Sequence, residues 1–476
     1  MSEQNYKINM IHMGKARFAL DLSDGSERGE YVNQDYILHV LGRPHRNINL
    51  MYTYYPKDKE WPARISEACK DMEVNFAWDY PYDDYFPYGT NGEPFASMKD
   101  VRKHGQDITL TVTMDCSLDD DTLCRFAQDL IPYGRMRLRI NHECNGNWFT
   151  HNKRFSFKEI GDFFVRCADI IHREAPNVKV IFCAGLAENE GDKVACEDDF
   201  LEAYKAADVW SADKYLALHY GWPYDIAEKD DNGRHNFTPT ATCFGYARNT
   251  INRLKEITGQ DKPFVMSEFD ADGDVTGAFH QGEVITRFAD RLKEENTGWF
   301  EAFSFYQFRD RGRLGLEIED PNNSEVGIPQ PIIKDYKKLL NDPYFMPQME
   351  ISADAKLPFE FRWGGAEDAD GMAISLSFDR TPEFCEIYFE EDLSLMMELN
   401  GHWFYKAPAT AYVDLMPAFY DSPVEKGTEL TLKIFATPAD GINPDNGRED
   451  WNINYYVTMY KMPMLRIRFE PVSIVD

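Results

Sequence analysis

The sequence predicts an α/β fold: a (β/α)8 TIM barrel followed by a C-terminal all-β sandwich domain. Three observations carry this reading. Short β-branched or aromatic runs alternate with helix-period stretches from about residue 47 to residue 310; eight such runs can be counted; and beyond residue 345 the pattern changes to short strands separated by Gly, Pro, Asn and Asp. At 476 residues the chain exceeds one ordinary core, so two domains are expected, 1–345 as the barrel and 346–476 as the sandwich.

In chain order the expected barrel strands are Asn49 to Tyr55, Val74 to Tyr80, Ile108 to Asp115, Arg135 to Glu143, Val178 to Gly185, Lys214 to Tyr220, Pro263 to Phe269 and Phe300 to Phe308. Helical periodicity falls between them at Asp121 to Leu130, Phe157 to Glu174, Asp199 to Ala206, Tyr246 to Thr258 and Gly282 to Glu295. One apolar run, Ala16 to Leu22, exceeds the count and reads as an extra strand pairing with the C-terminal domain. The stretch from Gly327 to Met349, with four prolines and a short helical piece, reads as the exit from the barrel. Seven further short segments, from Phe359 to Trp363 through Leu465 to Phe469, have the spacing of a sandwich.

Composition narrows the partners. Hydrophobic residues at 43% and charged residues at 28% are those of a globular chain, and the 14% aromatic share suits both a large core and flat faces for sugar rings. A formal charge of −30 repels nucleic acid and anionic membrane surfaces, so neither is expected as a partner. A neutral substrate is favoured, although a local basic pocket within the acidic surface would still admit an anion. Nine cysteines without CxxC pairs read as reduced thiols. The polar start MSEQNYKINM and the lack of any run of about 18 apolar residues point to a cytoplasmic protein, or a secreted one whose leader has been removed. Nothing in the sequence points to an oligomeric state.

The informative segment is Arg139-Ile140-Asn141-His142-Glu143-Cys144-Asn145-Gly146-Asn147-Trp148-Phe149, where a strand turns into a loop. Parallel barrels build their sites at the C-terminal ends of strands, and Arg, Asn, His and Glu this dense are unfavourable to bury unless they serve one another or a ligand. The bland reading is a satisfied polar network closing the barrel. A second strand, Lys262-Pro263-Phe264-Val265-Met266-Ser267-Glu268-Phe269, also ends in a carboxylate. Two facing carboxyl groups are what glycosidic hydrolysis needs, one to protonate the leaving oxygen and one to attack the anomeric carbon.

The first segment resembles the acid/base strand of glycoside hydrolase family 26, a mannanase-rich family within the clan A barrels, at Arg139, His142, Glu143, Asn145, Gly146, Trp148 and Phe149. The Lys-Pro and short apolar strand before Glu268 are similar to the family's nucleophile strand. The resemblance implies Glu143 as acid/base and Glu268 as nucleophile, on strands four and seven, with His142 beside the sugar's 2-hydroxyl. Where the family continues with further Trp, this chain has Thr150 and His151. The clan places a tyrosine after strand six against the nucleophile, which makes Tyr220 the candidate and Tyr215 the alternative.

The expected activity is therefore retaining β-glycoside hydrolysis of oligo- or polysaccharides, mannan-derived by the resemblance. A β-1,3- or β-1,4-glucanase or xylanase of the same clan, or a barrel that binds carbohydrate without cleaving it, are the alternatives. Double displacement requires the carboxylates about 5 to 5.5 Å apart. Arg139, His142, Asn145, Trp148, His219, Tyr220, Trp222 and Tyr306 are the candidate substrate contacts. Trp78, Tyr80 and Trp299 join them as aromatic residues near strand ends, each of which also suits a core. Arg309, Asp310 and Arg311 read either as substrate-facing charges or as a solvated loop, and Trp363 and Trp403 either as exposed platforms or as packing between domains. Asp270, Asp272 and Asp274 mimic the opening of a calcium loop, but Gly273 is misplaced and the closing glutamate is missing; with HExxH also absent, no metal or cofactor is expected.

Overall fold

The computed structural model describes residues 7–26, 31–54, 56, 58–72, 94–218, 236–295, 298–443, 451 and 454–469. Eight parallel strands close into a barrel: Ala19–Ser23, Asn47–Thr53, Asp107–Thr113, Met136–Ile140, Val178–Cys183, Val209–Leu218, Phe264–Ala271 and Phe300–Phe305. Each pairs with the next, and Phe300–Phe305 pairs back onto Ala19–Ser23 to complete the ring. Most of these strands are buried on both faces, which is why they read as apolar runs without clean alternation.

The expected extra strand at Ala16 to Leu22 is thus corrected: Ala19–Ser23 is the first barrel strand, and the run placed first is the second. Val74 to Tyr80 lies outside the described residues, and the eight-strand ring closes without it. Because one gain and one loss compensate, Glu143 still follows strand four and Glu268 still belongs to strand seven, inside Phe264–Ala271.

Local sequence explains the crossover helices. Ser156 and Glu159 form a reciprocal cap before Phe157–Glu174: the Glu159 N–H donates to Ser156 Oγ at 3.3 Å and the Ser156 N–H to Glu159 Oε2 at 2.8 Å. Asp119 caps Asp120–Leu130 by accepting from the Thr122 N–H at 2.8 Å. Among the described helices, none is long and apolar enough to cross a membrane. All nine cysteines are free.

The C-terminal region holds an eight-stranded antiparallel sheet and a three-stranded one, with Phe361, Ile374, Ile387, Met397 and Ile434 among the side chains of the core between them. The strand that reaches it from the N-terminus is Ile8–Met13, which pairs with both Met349–Asp354 and Asp368–Phe378. This region covers the N-terminal end of the barrel through Ile11, Met13, Leu38, Trp363, Met396, Trp403 and Phe435. Trp363 and Trp403 are 2% and 4% exposed, so the reading of them as exposed platforms is overturned: they pack between the domains. Trp451 completes the cover, its ring flanked by Arg135, Arg137 and Lys179.

Candidate active site

The tip of strand four is shaped by two residues with left-handed backbones, Asn141 at φ 47° and Glu143 at φ 49°. Asn tolerates this region better than most residues. Its side chain also anchors the turn, accepting from the Met114 N–H at 2.7 Å and donating to the Met114 carbonyl at 3.0 Å. Strand four is thereby fastened to the tip of strand three. Gly146 then lets the chain fold back on itself, since a Cβ there would lie 2.5 Å from the Trp148 ring. The reward of that close approach is a hydrogen bond: Trp148 Nε1 donates to Glu143 Oε2 at 2.9 Å. Gly185 plays the same part for Asn145, whose Nδ2 lies 2.9 Å from where a Cβ would stand.

Opposite, Glu268 is 3% exposed and held from two sides. Arg139 Nη2 donates to Oε1 at 2.7 Å, and the Tyr215 hydroxyl donates to Oε2 at 2.7 Å. His142 Nε2 lies 3.8 Å from Oε1, with its ring packed on Phe149. Arg139, with no exposed surface, also donates from Nη1 to both oxygens of Asp213 at 2.8 and 3.0 Å and from Nε to Thr111 Oγ1 at 2.8 Å. Behind it the bonds continue through the barrel: Thr111 Oγ1 to Asn49 Oδ1, Asn49 Nδ2 to Ser23 Oγ, and Ser23 to Ser304. Inner residues of strands eight, one, two and three thus brace the arginine that grips Glu268.

The two glutamates have different surroundings. Burial pushes the Glu143 carboxyl well above the usual range, and the negative charges of Glu268 and Asp213 push it further; Trp148 and Arg139 oppose this weakly. Burial raises Asp213 as well, against the pull of Arg139. His142 is driven well below its ordinary value by burial and by the Arg139 charge, so its imidazole is neutral. The cluster therefore offers one carboxyl disposed to keep its proton beside another gripped by a cation and a phenol.

The structure brings Arg139, His142, Glu143, Trp148 and Glu268 together. Asn145 is half-buried on the loop behind them. Tyr306 has no exposed surface and stands edge-on to Tyr215, ring centroids 5.5 Å apart, so it supports that phenol from behind. Trp78, Tyr80, His219, Tyr220 and Trp222 lie outside the described residues. Trp299 precedes strand eight, at the end of the barrel away from this cluster, and stacks on Phe300. Arg309 and Asp310 form no solvated loop: both are buried, Arg309 paired with Glu317 at 3.0 Å and Asp310 accepting from Gln307 at 3.1 Å. Among the described residues no cluster of His, Cys, Asp and Glu is arranged to hold a metal ion.

Asp213 and Thr111 received no role from the sequence, and Asn141 none beyond its place in the motif. A signal existed for Asp213: it stands two residues before Tyr215 on one strand, so the two side chains share a face.

No family model and no curated protein sequence matches the chain. Solved structures similar to it include a monomeric β-xylosidase from Caulobacter crescentus CB15, 12% identical over 91% of this chain and 98% of that one, TM-score 0.45. An endo-β-1,4-mannanase double mutant from Cellulomonas fimi is 13% identical over 93% of each chain, TM-score 0.41. An α-L-arabinofuranosidase from Thermotoga maritima, in its arabinose complex, is 10% identical over 91% of this chain and all of that one, TM-score 0.44. Likeness at this level carries no argument about chemistry, which has to come from the strand tips themselves.

Proposed function

We propose that this chain is a retaining β-glycoside hydrolase in which Glu143 is the acid/base and Glu268 the nucleophile. The observation that carries the reading is the divergence of the two carboxyls: Glu268 receives Arg139 and Tyr215 at 2.7 Å each, while Glu143 is pushed toward its protonated form.

The chemistry follows from these positions. A carboxylate oxygen of Glu268 attacks the anomeric carbon, the bond to the leaving oxygen breaks, and the Glu143 proton passes to that oxygen. In the second half Glu143, now ionised and accepting from Trp148, takes a proton from water as the water oxygen displaces Glu268 from the anomeric carbon. Arg139 and Tyr215 stabilise Glu268 as attacking carboxylate and again as leaving group. Neutral His142 has a nitrogen near the nucleophile without adding a charge there. The substrate class is β-linked oligo- or polysaccharide, and the motif around His142 and Glu143 favours β-mannosides over glucans and xylans.

The test compares wild type with Glu143→Ala and Glu268→Ala on a panel of aryl β-glycosides and β-linked oligosaccharides. Both variants should lose turnover, by roughly a hundred-fold or more for the acid/base. Comparable activity in all three proteins removes the assignment, and binding without release of reducing ends in the wild type marks a carbohydrate-binding protein instead.

A further inference from the structure

At the barrel's other end, beneath the N-termini of its strands, a small space lies between the two domains, lined by Arg43, His45, Trp363, Met396 and Trp403 among others. Arg43 is 4% exposed, yet it makes no hydrogen bond or ion pair with the described residues; its contact is the face of Trp403, 5.7 Å from guanidinium carbon to ring centroid. The carboxylate whose charge bears on it, Glu398, is taken by Lys433 and by the Gly401 N–H. Three more buried polar atoms here lack a protein partner: Trp363 Nε1, Trp403 Nε1 and His45 Nδ1. The other ring nitrogen of His45, Nε2, is hydrogen-bonded to the Tyr336 hydroxyl at 2.8 Å. Both indoles can only donate, and so can the guanidinium.

A buried cation without a counter-charge, beside donors without acceptors, is among the costliest arrangements a fold can hold. Elsewhere this molecule avoids it: in the same region Arg46 is paired with Asp21 and Glu301, Arg102 and Arg135 with Asp107. Glu367, the carboxylate on the cavity wall, is already committed to the Ala16 N–H and to Arg46. His104, also on the wall, is bound to Asp35, which favours its protonated form. Of the cations on this wall, Arg46 and His104 are paired, which leaves Arg43 and the indole donors without partners among the described residues, inside a chain of net charge −30.

We propose that Arg43, with the indole N–H groups of Trp363 and Trp403, forms a binding site for a small monovalent anion, such as chloride or bromide, that joins the sandwich to the barrel. The charge follows from the lining: the one cation here without an ion-pair partner among the described residues, Arg43, calls for a single negative charge, and the two indole N–H groups offer it further donors. The site is separate from the strand tips, so its ligand stabilises the fold without entering the reaction.

Melting temperature of the full-length protein in sodium chloride, set against sodium gluconate and sodium phosphate at equal ionic strength, tests this directly. Chloride should raise the wild-type Tm by a few degrees and saturate, as binding to the folded state requires, while the other two salts give only the shared ionic-strength trend. Arg43→Met should abolish the chloride increment and Trp403→Phe, which keeps the ring but removes one donor, should weaken it. Because Arg43→Met could fail to fold, crystals of wild type grown in bromide give a second reading: an anomalous peak bounded by Arg43, Trp363 and Trp403. Superimposable chloride and gluconate curves, a larger effect of phosphate than of chloride, or bromide-grown crystals showing only water at that position would each overturn the proposal.

Discussion

Arg139 donates to Glu268 across the barrel at 2.7 Å, and both side chains are buried. A surface pair of this kind would be worth little, but here neither partner can turn to water, so each depends on the other. The same arginine is braced by Asp213 and Thr111, which fixes the direction in which it presents its second nitrogen. The proposed nucleophile is therefore oriented from beneath by the barrel interior, and from the side by Tyr215.

Removing that side contact should slow the reaction without unfolding the protein. A hydrogen bond to a charged group contributes about 1.5 to 3 kcal/mol, so Tyr215→Phe should lower kcat/KM by roughly 10- to 100-fold. Steady-state kinetics on an aryl β-glycoside checks this, and an unchanged kcat/KM would show that the phenol does not act on Glu268.

Trp148 acts on the other carboxyl. Its N–H favours the ionised form of Glu143, so Trp148→Phe should raise the pKa of Glu143 further. Since Glu143 must be protonated for the first step, the alkaline limb of kcat/KM should move to higher pH in the variant. A limb that stays in place or moves to lower pH would contradict the assignment of Glu143 as the acid.

The same carboxyl makes a statement about stability. Its pKa is raised in the folded state, so between the ordinary glutamate range and that raised value the native protein binds more protons than the unfolded chain. Stability is then lost as pH rises through this window. Glu143→Gln should melt at a higher temperature than wild type at alkaline pH, with the gap closing toward about pH 4, where both forms are neutral at this position. Melting curves across the pH range decide it; a gap that does not depend on pH would show that Glu143 titrates normally.

The two domains should not survive separation. Deleting the chain after residue 350 strips Ile8–Met13 of nearly all its ladder partners and exposes Met13, Leu38 and the underside of the barrel. The truncated protein should be insoluble or lack a cooperative melt, whereas a soluble product with wild-type activity would refute the packing role.

How much of this was legible in the sequence varied with the physics of each element. The helix Phe157–Glu174 carries a period, a cap and a boundary, and its limits were readable to the residue, whereas Thr240–Thr258, with no side-chain cap, starts well before the expected Tyr246. Ala19–Ser23 spans five buried residues of a parallel strand and carries none of these signals, so it passed for an extra strand. Glu143 was visible through the dense polar motif around it, and Glu268 through the Lys-Pro and apolar run that precede it. Asp213 lies inside such a run at Val209–Leu218, and only the closing of the barrel shows that it serves Arg139. The tyrosine on Glu268 was sought first at the end of strand six, at Tyr220, yet Tyr215 reaches the carboxylate from within the strand. Trp363 and Trp403 read as well for a sugar platform as for a domain contact, because burial between domains leaves no periodicity.

The most direct measurement of the central claim is the stereochemistry of the first product. Wild-type protein incubated with the cleaved β-glycoside in an NMR tube should release the β-anomer before mutarotation sets in, as two successive displacements at one carbon require. Initial release of the α-anomer would mean a single displacement by water and would contradict Glu268 as nucleophile.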